Sequence, residues 1–469
     1  MLEEWAIPLK MLYFFVNFQY YSFYNYRPNF AEVNGMSKAV FGHLFGFVLL
    51  LCFFTNSFIA TVNDKFERSK LLICALLIAS CISFELFYII PDGLFFFWSV
   101  MLIYSLCSTA LPALLDKFAI EYLAKENHLN PATYGNQRLF GSLGYLFSNF
   151  VVEAIVRPPG QKFNFAKLAF LVPIVTIPAV LITLYVVKNY ESSHSRSDIE
   201  TGFVSLLKNR EYMFFIFIIF LNGLSRAGMT LFLTIYHDKV LNLSPYDLSS
   251  GGNFLTRAFL YVFGLFNKRP MSTVAFCAVV IEILIMFQSR KIISYMGLYW
   301  PLLFAQIAQF IRFVGYYAMP YDNKHVFAYS CLLETMKGIN FGLTHSSAVH
   351  IANKLCPAYL KTTSQMIYTG TFQALGSFFA GQLFGGIFSK STGGNTPEEK
   401  SKEFDLFFMT NMGITITCIV LFIVKYGFYD RTLTFRRTEH DSITQIKKEI
   451  KHKNKQEKTV QIEGNKEKM

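Results

Sequence analysis

The sequence predicts an all-α membrane protein with twelve transmembrane helices, arranged as two pseudo-symmetric halves of six. Of its 469 residues, 53% are hydrophobic and only 16% are charged, whereas a soluble fold of this length needs a larger charged surface. Apolar stretches of about 20 residues recur along the chain, and each can cross a hydrocarbon core about 30 Å thick. A polar segment near the middle separates six such stretches from six more.

Hydropathy defines the limits of the predicted spans. They cover residues 8–27, 40–61, 71–90, 94–116, 137–156, 167–188, 212–235, 271–289, 298–318, 326–352, 363–389 and 405–428. A further apolar piece, residues 253–267, contains Arg257 and is followed by a basic turn. We interpret it as a helix on the outer face or an extension of the eighth span, because a separate crossing would reverse the tail.

The same pattern divides the chain into regions. The N-terminal half covers residues 1–190, a polar cytoplasmic linker covers 191–211, and the C-terminal half covers 212–430. The tail, residues 431–469, is too charged and too poor in apolar residues to fold alone. We therefore expect two membrane-embedded halves joined by a linker and followed by a basic, largely disordered tail.

Positive charges orient the chain in the membrane. Lys and Arg lie in the loops after spans two, four, six, eight and ten, and the tail is also basic. Because positive loops stay in the cytoplasm, we expect both termini there. The net charge of +12 therefore indicates contact with anionic lipid and not with nucleic acid. We expect a monomer and favour the plasma membrane over an internal membrane, although no retention or acyl-anchor motif identifies the membrane.

Ionisable side chains within the apolar spans mark the candidate functional site. A charge in hydrocarbon costs about 2.5 to 3.5 kcal/mol on insertion scales, so such residues face a polar cavity or a partner. Two halves around a site at the membrane midplane are the architecture of carriers that work by alternating access. The eight cysteines show no CxxC or His-paired spacing, and we expect neither a metal nor another cofactor.

One loop motif lies between spans two and three, where Asp64, Lys65 and Arg68 stand close together. It resembles the Gly-x-x-x-Asp-Arg-x-Gly-Arg-Arg loop of the major facilitator superfamily, with Ala60 and Glu67 in place of the two glycines. The resemblance implies a conformational latch in which the acidic and basic groups close one state. The alternative is an ordinary positive loop on the cytoplasmic side.

A second motif opens span five. The run Tyr134-Gly135-x-x-Arg138-x-Phe140-Gly141-Ser142-x-Gly144, with Asp116 in span four, is similar to the lactose-permease and nucleoside-symporter-like branch of that superfamily. The resemblance implies that Arg138 pairs with the carboxylate of span four and holds substrate hydroxyls. A guanidinium offers a rigid fork of donors for this purpose. Alternatively, both charges only mark the cytoplasmic ends of their spans.

Spans eight to ten carry further charges that resemble the same branch. The resemblance implies that Glu282 and Arg312 form a buried pair whose exchange of partners gates proton movement; the alternative is a static ion pair. In span ten, Glu334 and His345 lie on one helical stripe and suggest a proton relay. Lys337 stands where the family often has His, and a structural role for His345 is the alternative. We assign these five residues to proton coupling.

Polar residues in other spans complete the predicted substrate site. A helix that touches only lipid would not keep Asn17 and Gln19, so span one should border the cavity. The full predicted set comprises Asn17, Gln19, Tyr20, Asp116, Arg138, Arg226 and Asn340.

Over about residues 7 to 428, the resemblance implies a secondary active transporter of a small polar solute. A sugar, a nucleoside and an organic acid all fit, with proton coupling and alternating access expected. The alternatives are a membrane-embedded transferase and a transporter-like sensor without turnover; we expect no enzyme activity.

Overall fold

The computed structural model describes residues 6–66, 69–89, 91, 93–125, 134–157, 162–187, 206, 208–245, 264, 266–320, 325–356, 361–390 and 397–433. Within these ranges the secondary structure is helical, without strands. The α-helices are α1 (Ile7–Tyr21), α2 (Arg27–Val33), α3 (Lys38–Phe66), α4 (Ser69–Ile89), α5 (Leu94–Ser108), α6 (Leu111–Lys125), α7 (Tyr134–Val156), α8 (Leu168–Val186), α9 (Arg210–Lys239), α10 (Pro270–Met296), α11 (Tyr299–Tyr317), α12 (Val326–Lys354), α13 (Lys361–Gly370), α14 (Gly376–Ser389) and α15 (Pro397–Phe422).

Each predicted span coincides with one of these helices or with consecutive helical pieces. Among the described residues, eight segments are long and apolar enough to cross a membrane. The shortfall of four has a physical reason in each case. α1 has only 15 residues, α11 and α12 carry amide and charged side chains, and α13 is short and polar. The twelve crossings and the division into two six-helix halves stay predictions. The piece 253–267 lies outside the described residues except at its C-terminal end.

Several spans are broken, which hydropathy did not predict. Within span one, α1 ends at Tyr21 and a short 3₁₀ helix, Tyr24–Tyr26, follows; α2 then begins at Arg27, and its first turn contains Pro28. Span four is split before Pro112, since proline fits the first turn of a helix and disrupts its interior. A π-helical turn, Thr371–Leu375, joins α13 to α14. Such turns shift the register of a helix and often occur at functional sites.

Close backbone contacts hold the bundle together. α10 packs along α12, α3 along α14, α1 along α7, and α11 along α12. A Cβ atom on Gly338 of α12 would lie 2.1 Å from the carbonyl oxygen of Ala278, so only glycine permits this approach of α12 to α10. Gly144 of α7 has the same role against the Phe14 carbonyl oxygen of α1, at 2.4 Å.

Candidate functional site

The most deeply buried ion pair joins α11 to α12. Arg312 donates from Nε (2.8 Å) and Nη2 (2.5 Å) to Oε1 of Glu334, and both side chains are only 2% exposed. The Tyr316 hydroxyl donates to the same oxygen at 3.1 Å, and Lys337 Nζ lies 3.8 Å from Oε2. His237 of α9 extends the cluster, with Nε2 3.0 Å from the Tyr316 hydroxyl.

This geometry corrects one sequence-based prediction. Arg312 does not pair with Glu282; its partner is Glu334. The reason lies in the packing, because α11 runs along α12 and has few contacts with α10, which carries Glu282. Spans eight and nine are consecutive in the sequence, but their helices, α10 and α11, are not each other's closest neighbours in space.

Glu282 has different surroundings. Its side chain is half-buried and makes no hydrogen bond within the described part of the chain. It interacts electrostatically with Lys337 of α12 and with Arg138 of α7. A carboxylate that lacks fixed donors and lies between two cations remains available to a ligand or a proton.

Arg138 lies beside the acid that the resemblance implied. Its Nη2 is 3.8 Å from Oδ2 of Asp116, and the two side chains are 45% and 28% exposed. The Tyr13 hydroxyl of α1 donates to Oδ1 of Asp116 at 2.8 Å. The pair is therefore accessible, unlike the Arg312 cluster.

Two polar side chains, one from α12 and one from α13, interact with Arg138 and with Arg226 of α9. The Arg138 and Arg226 guanidinium groups both interact electrostatically with His345 and Tyr368. His345 Nδ1 lies 2.9 Å from the Tyr368 hydroxyl, and its ring packs on Phe341 at 4.2 Å. These interactions link the arginines of α7 and α9 with α12 and α13.

Two other predicted site residues, Gln19 and Asn340, connect helices, whereas Asn17 bonds within α1. Asn17 donates to the carbonyl oxygen of Tyr13 (2.8 Å), and Gln19 donates to Ser80 Oγ of α4 (3.0 Å). Asn340 donates to the carbonyl oxygen of Ala305 in α11 at 2.8 Å and is buried. In their present positions Gln19 and Asn340 stabilise helix packing.

Tyr20 belongs to an aromatic group with Tyr21 and Tyr24, at centroid distances of 4.8 Å and 5.7 Å. For the predicted latch, Arg68 and the side chains of Asp64 and Lys65 lie outside the described residues.

The sequence-based reasoning missed Arg27, at the N-terminus of α2. Its side chain is 2% exposed, and its guanidinium carbon lies 4.9 Å from the Tyr24 ring and 5.7 Å from the Tyr104 ring. Arg27 closes the predicted first span, where an interfacial position was the natural interpretation. The following Pro28 is the available signal, because it indicates that the chain turns back into the protein at this point.

Ion pairs also join the ends of several helices at the far side of the bundle from Arg138. Arg157, just after α7, pairs with Asp238 of α9 at 3.3 Å. Lys239 lies 3.6 Å from Asp238 and 3.8 Å from Glu32 of α2. Lys38 of α3 pairs with Glu403 of α15.

A carboxylate of α7 also caps α10 on this face. Glu153 accepts hydrogen bonds from the backbone N–H groups of Met271 (3.2 Å) and Ser272 (2.7 Å) at the N-terminus of α10. A negative charge at that end is favourable for a helix. By the predicted orientation, this cap and the ion pairs above lie at the outer face.

The chain belongs to the MFS_1 like family, whose model matches residues 6–396. The resemblance to the major facilitator superfamily is thereby confirmed. An uncharacterized transporter of Bacillus subtilis (strain 168), YwbF, is 22% identical over 283 residues, which are 60% of this chain and 61% of that protein. The chain thus aligns with about three-fifths of that relative's length.

Solved structures support the same fold. The nucleoside transporter NupG has a TM-score of 0.70 at 15% identity, with 89% of this chain and 98% of that chain covered. A D-xylose-proton symporter has a TM-score of 0.59 at 12% identity, with 90% and 97% covered. At these identities the similarity establishes the fold alone.

Proposed function

We propose that this protein is a secondary active transporter of a small polar solute that works by alternating access. The observation that carries the proposal is that Arg138 of α7, which is 45% exposed beside Asp116, also interacts electrostatically with Glu282 of α10 and His345 of α12. Charges inside a membrane protein are costly, and they persist where a solute or ion path requires them. The names of the relatives, a nucleoside transporter and a D-xylose-proton symporter, support a small polar substrate.

The arrangement of exposed and closed ends supports an inward-open state. Arg138 and Asp116, near the predicted cytoplasmic face, are partly exposed. At the predicted outer face, Arg157, Asp238 and Lys239 form ion pairs between the ends of α7, α9 and α2. Transport then requires these outer pairs to separate, which would open the site to the opposite side.

Proton coupling is a separate part of the proposal and is assigned to Glu282. Glu334 already has Arg312, Tyr316 and Lys337 as partners, so it stabilises the α11–α12 contact. Glu282 lacks such donors, and its protonation would alter the charge balance with Arg138 and Lys337. Uptake by Glu282→Gln should therefore become independent of a pH gradient, whereas an unchanged gradient response would remove Glu282 from coupling.

A cross-link across the outer face tests alternating access. In a variant without native cysteines, Arg157→Cys and Asp238→Cys can be joined by a bifunctional thiol cross-linker that contains a disulfide, because the ion pair spans a long arginine side chain. The cross-link should stop uptake into proteoliposomes, and reduction should restore it. The control pair, Lys425→Cys with Asp430→Cys, replaces an ion pair of 2.8 Å near one helix end. It should not inhibit. Full uptake with the outer pair cross-linked would contradict alternating access, and absence of any solute flux would favour a sensor or a transferase.

A further inference from the structure

Among the residues that the structure describes, two arginines in the interior lack a carboxylate partner. Arg312 pairs with Glu334, and Arg138 lies beside Asp116. For Arg27 and Arg226, no Asp or Glu oxygen lies within ion-pair distance in the part of the chain that the structure describes. A buried charge without compensation costs several kcal/mol, so the two side chains require an explanation.

Arg27 lies among aromatic side chains, and of these the Tyr104 hydroxyl interacts with its guanidinium group. Rings of four aromatic residues surround the guanidinium at 4.9 to 6.0 Å, namely Phe23, Tyr24, Phe45 and Tyr104. Aromatic rings stabilise a cation through its charge and leave hydrogen bonds in the guanidinium plane unused. The buried Nε and Nη2 atoms of Arg27 indeed have no hydrogen-bond acceptor among the described residues.

Arg226 of α9 is similarly placed. Its guanidinium lies 4.7 Å from the Phe372 ring, and Nη2 donates to the Phe372 carbonyl oxygen at 3.3 Å. Nε is buried and lacks an acceptor within the described ranges. Phe372 belongs to the π-helical turn between α13 and α14, so the carbonyl that holds Arg226 comes from an irregular segment.

Tyr24 connects the two arginines. Its ring lies 4.9 Å from the Arg27 guanidinium, and its side chain also interacts with Arg226. Residues 24–26 and α2 pack against α9, which brings the N-terminal and C-terminal parts of the chain together here. The interior therefore offers two cations with free N–H donors around one tyrosine.

We propose that Arg27 and Arg226 bind the anionic group of the transported solute, so that the substrate carries a carboxylate or a phosphate. This inference rests on the proposed function and narrows its substrate class. Guanidinium groups bind such oxyanions through charge-assisted and often bidentate hydrogen bonds. A neutral sugar or nucleoside would satisfy the donors but leave both positive charges uncompensated.

Thermal unfolding of the purified full-length protein tests the inference with matched solutes. The pairs are lactate with lactamide, glucose 6-phosphate with glucose, and uridine 5′-monophosphate with uridine, at constant ionic strength and chloride concentration. At saturation we expect at least one anion to raise Tm by about 3 °C and its neutral counterpart to leave it unchanged. Equal shifts for both members of a pair, or no shift with any anion, would overturn the inference.

Substitutions of the two arginines test whether they cause the anion-induced rise in Tm. Arg27→Gln and Arg226→Gln should each lose the anion-induced shift, and Arg27→Lys should keep part of it because the charge remains. Arg290→Gln, which removes an exposed arginine of α10, is the control and should keep the full shift. Arg226→Gln should also melt no lower than wild type without solute, which a purely structural arginine would not allow. If Arg27→Gln does not fold, Arg27→Lys and Arg226→Gln are decisive, and a full shift in both would overturn the inference.

Uptake into proteoliposomes separates this inference from the carrier proposal. Uptake of neutral solutes in preference to anions would overturn the anion site and leave the carrier intact. Stabilisation by an anion that is never taken up would support the site and contradict transport. Uptake of the stabilising anion, lost in Arg226→Gln, would support both.

Discussion

The Arg312 cluster and the Arg27–Arg226 region show two ways in which a membrane protein holds buried arginine. In the first, Glu334 and Tyr316 surround a guanidinium whose donors are used. In the second, Tyr24 lies between two guanidinium groups that retain unused donors. Burial alone therefore does not identify a functional charge. On our proposal, the unused hydrogen-bonding capacity of Arg27 and Arg226 separates a binding site from a structural contact.

The largest effect should follow from breaking the buried Arg312–Glu334 ion pair. Glu334→Gln leaves Arg312 buried without a counter-charge, and we expect a loss of about 3–5 kcal/mol in unfolding free energy. Reversible denaturation in mixed micelles measures it. The double variant Arg312→Met with Glu334→Leu should recover much of the loss, because both charges are gone. A single variant as stable as wild type would contradict the structural role of this pair.

Helix contact beside the Arg312 cluster should be the next most sensitive feature. Gly338→Ala places a methyl group 2.1 Å from the Ala278 carbonyl oxygen, and we expect a loss of about 1–3 kcal/mol as α10 and α12 separate. Gly386→Ala is the matched control, since nothing lies within 4 Å of its Cβ position. Thermal unfolding compares the two, and equal stability would show that the α10–α12 approach is looser than described.

A moderate effect is expected at the outer ion pairs. Arg157→Gln removes the contact with Asp238. We expect this to destabilise the closed outer face by about 1 kcal/mol, which would raise the outward-open population about fivefold. The rate at which a membrane-impermeant thiol reagent modifies a cysteine in the interior reports this population. An unchanged rate would mean that these pairs do not control opening.

The smallest effect should come from the Lys425–Asp430 ion pair, which is more exposed than the Arg312–Glu334 pair but has a similar N–O distance. Lys425 Nζ lies 2.8 Å from Asp430 Oδ1, but both side chains are 27% exposed. Lys425→Gln should therefore change the unfolding free energy by about 0–1 kcal/mol. The same unfolding assay used for Glu334→Gln compares the two pairs directly. A loss as large as that of Glu334→Gln would show that burial does not set the energy of these contacts.

Sequence reasoning found the parts of the structure that hydropathy and local motifs determine. The predicted spans match helical segments, and Arg138 lies beside Asp116 as the resemblance implied. It did not find the partner of Arg312, because pairing depends on which helices are neighbours in space. Arg27 was missed for a related reason, since its burial depends on the turn before α2 and on Tyr104 from α5.

Thiol accessibility of two engineered cysteines tests the central claim most directly. In a variant whose eight native cysteines are replaced, Glu282→Cys samples the region around Arg138, and Ser330→Cys samples the buried α12 packing. A water-soluble methanethiosulfonate reagent should modify the cysteine at 282 at least tenfold faster than that at 330. Equal protection of both positions would contradict a solute-accessible interior.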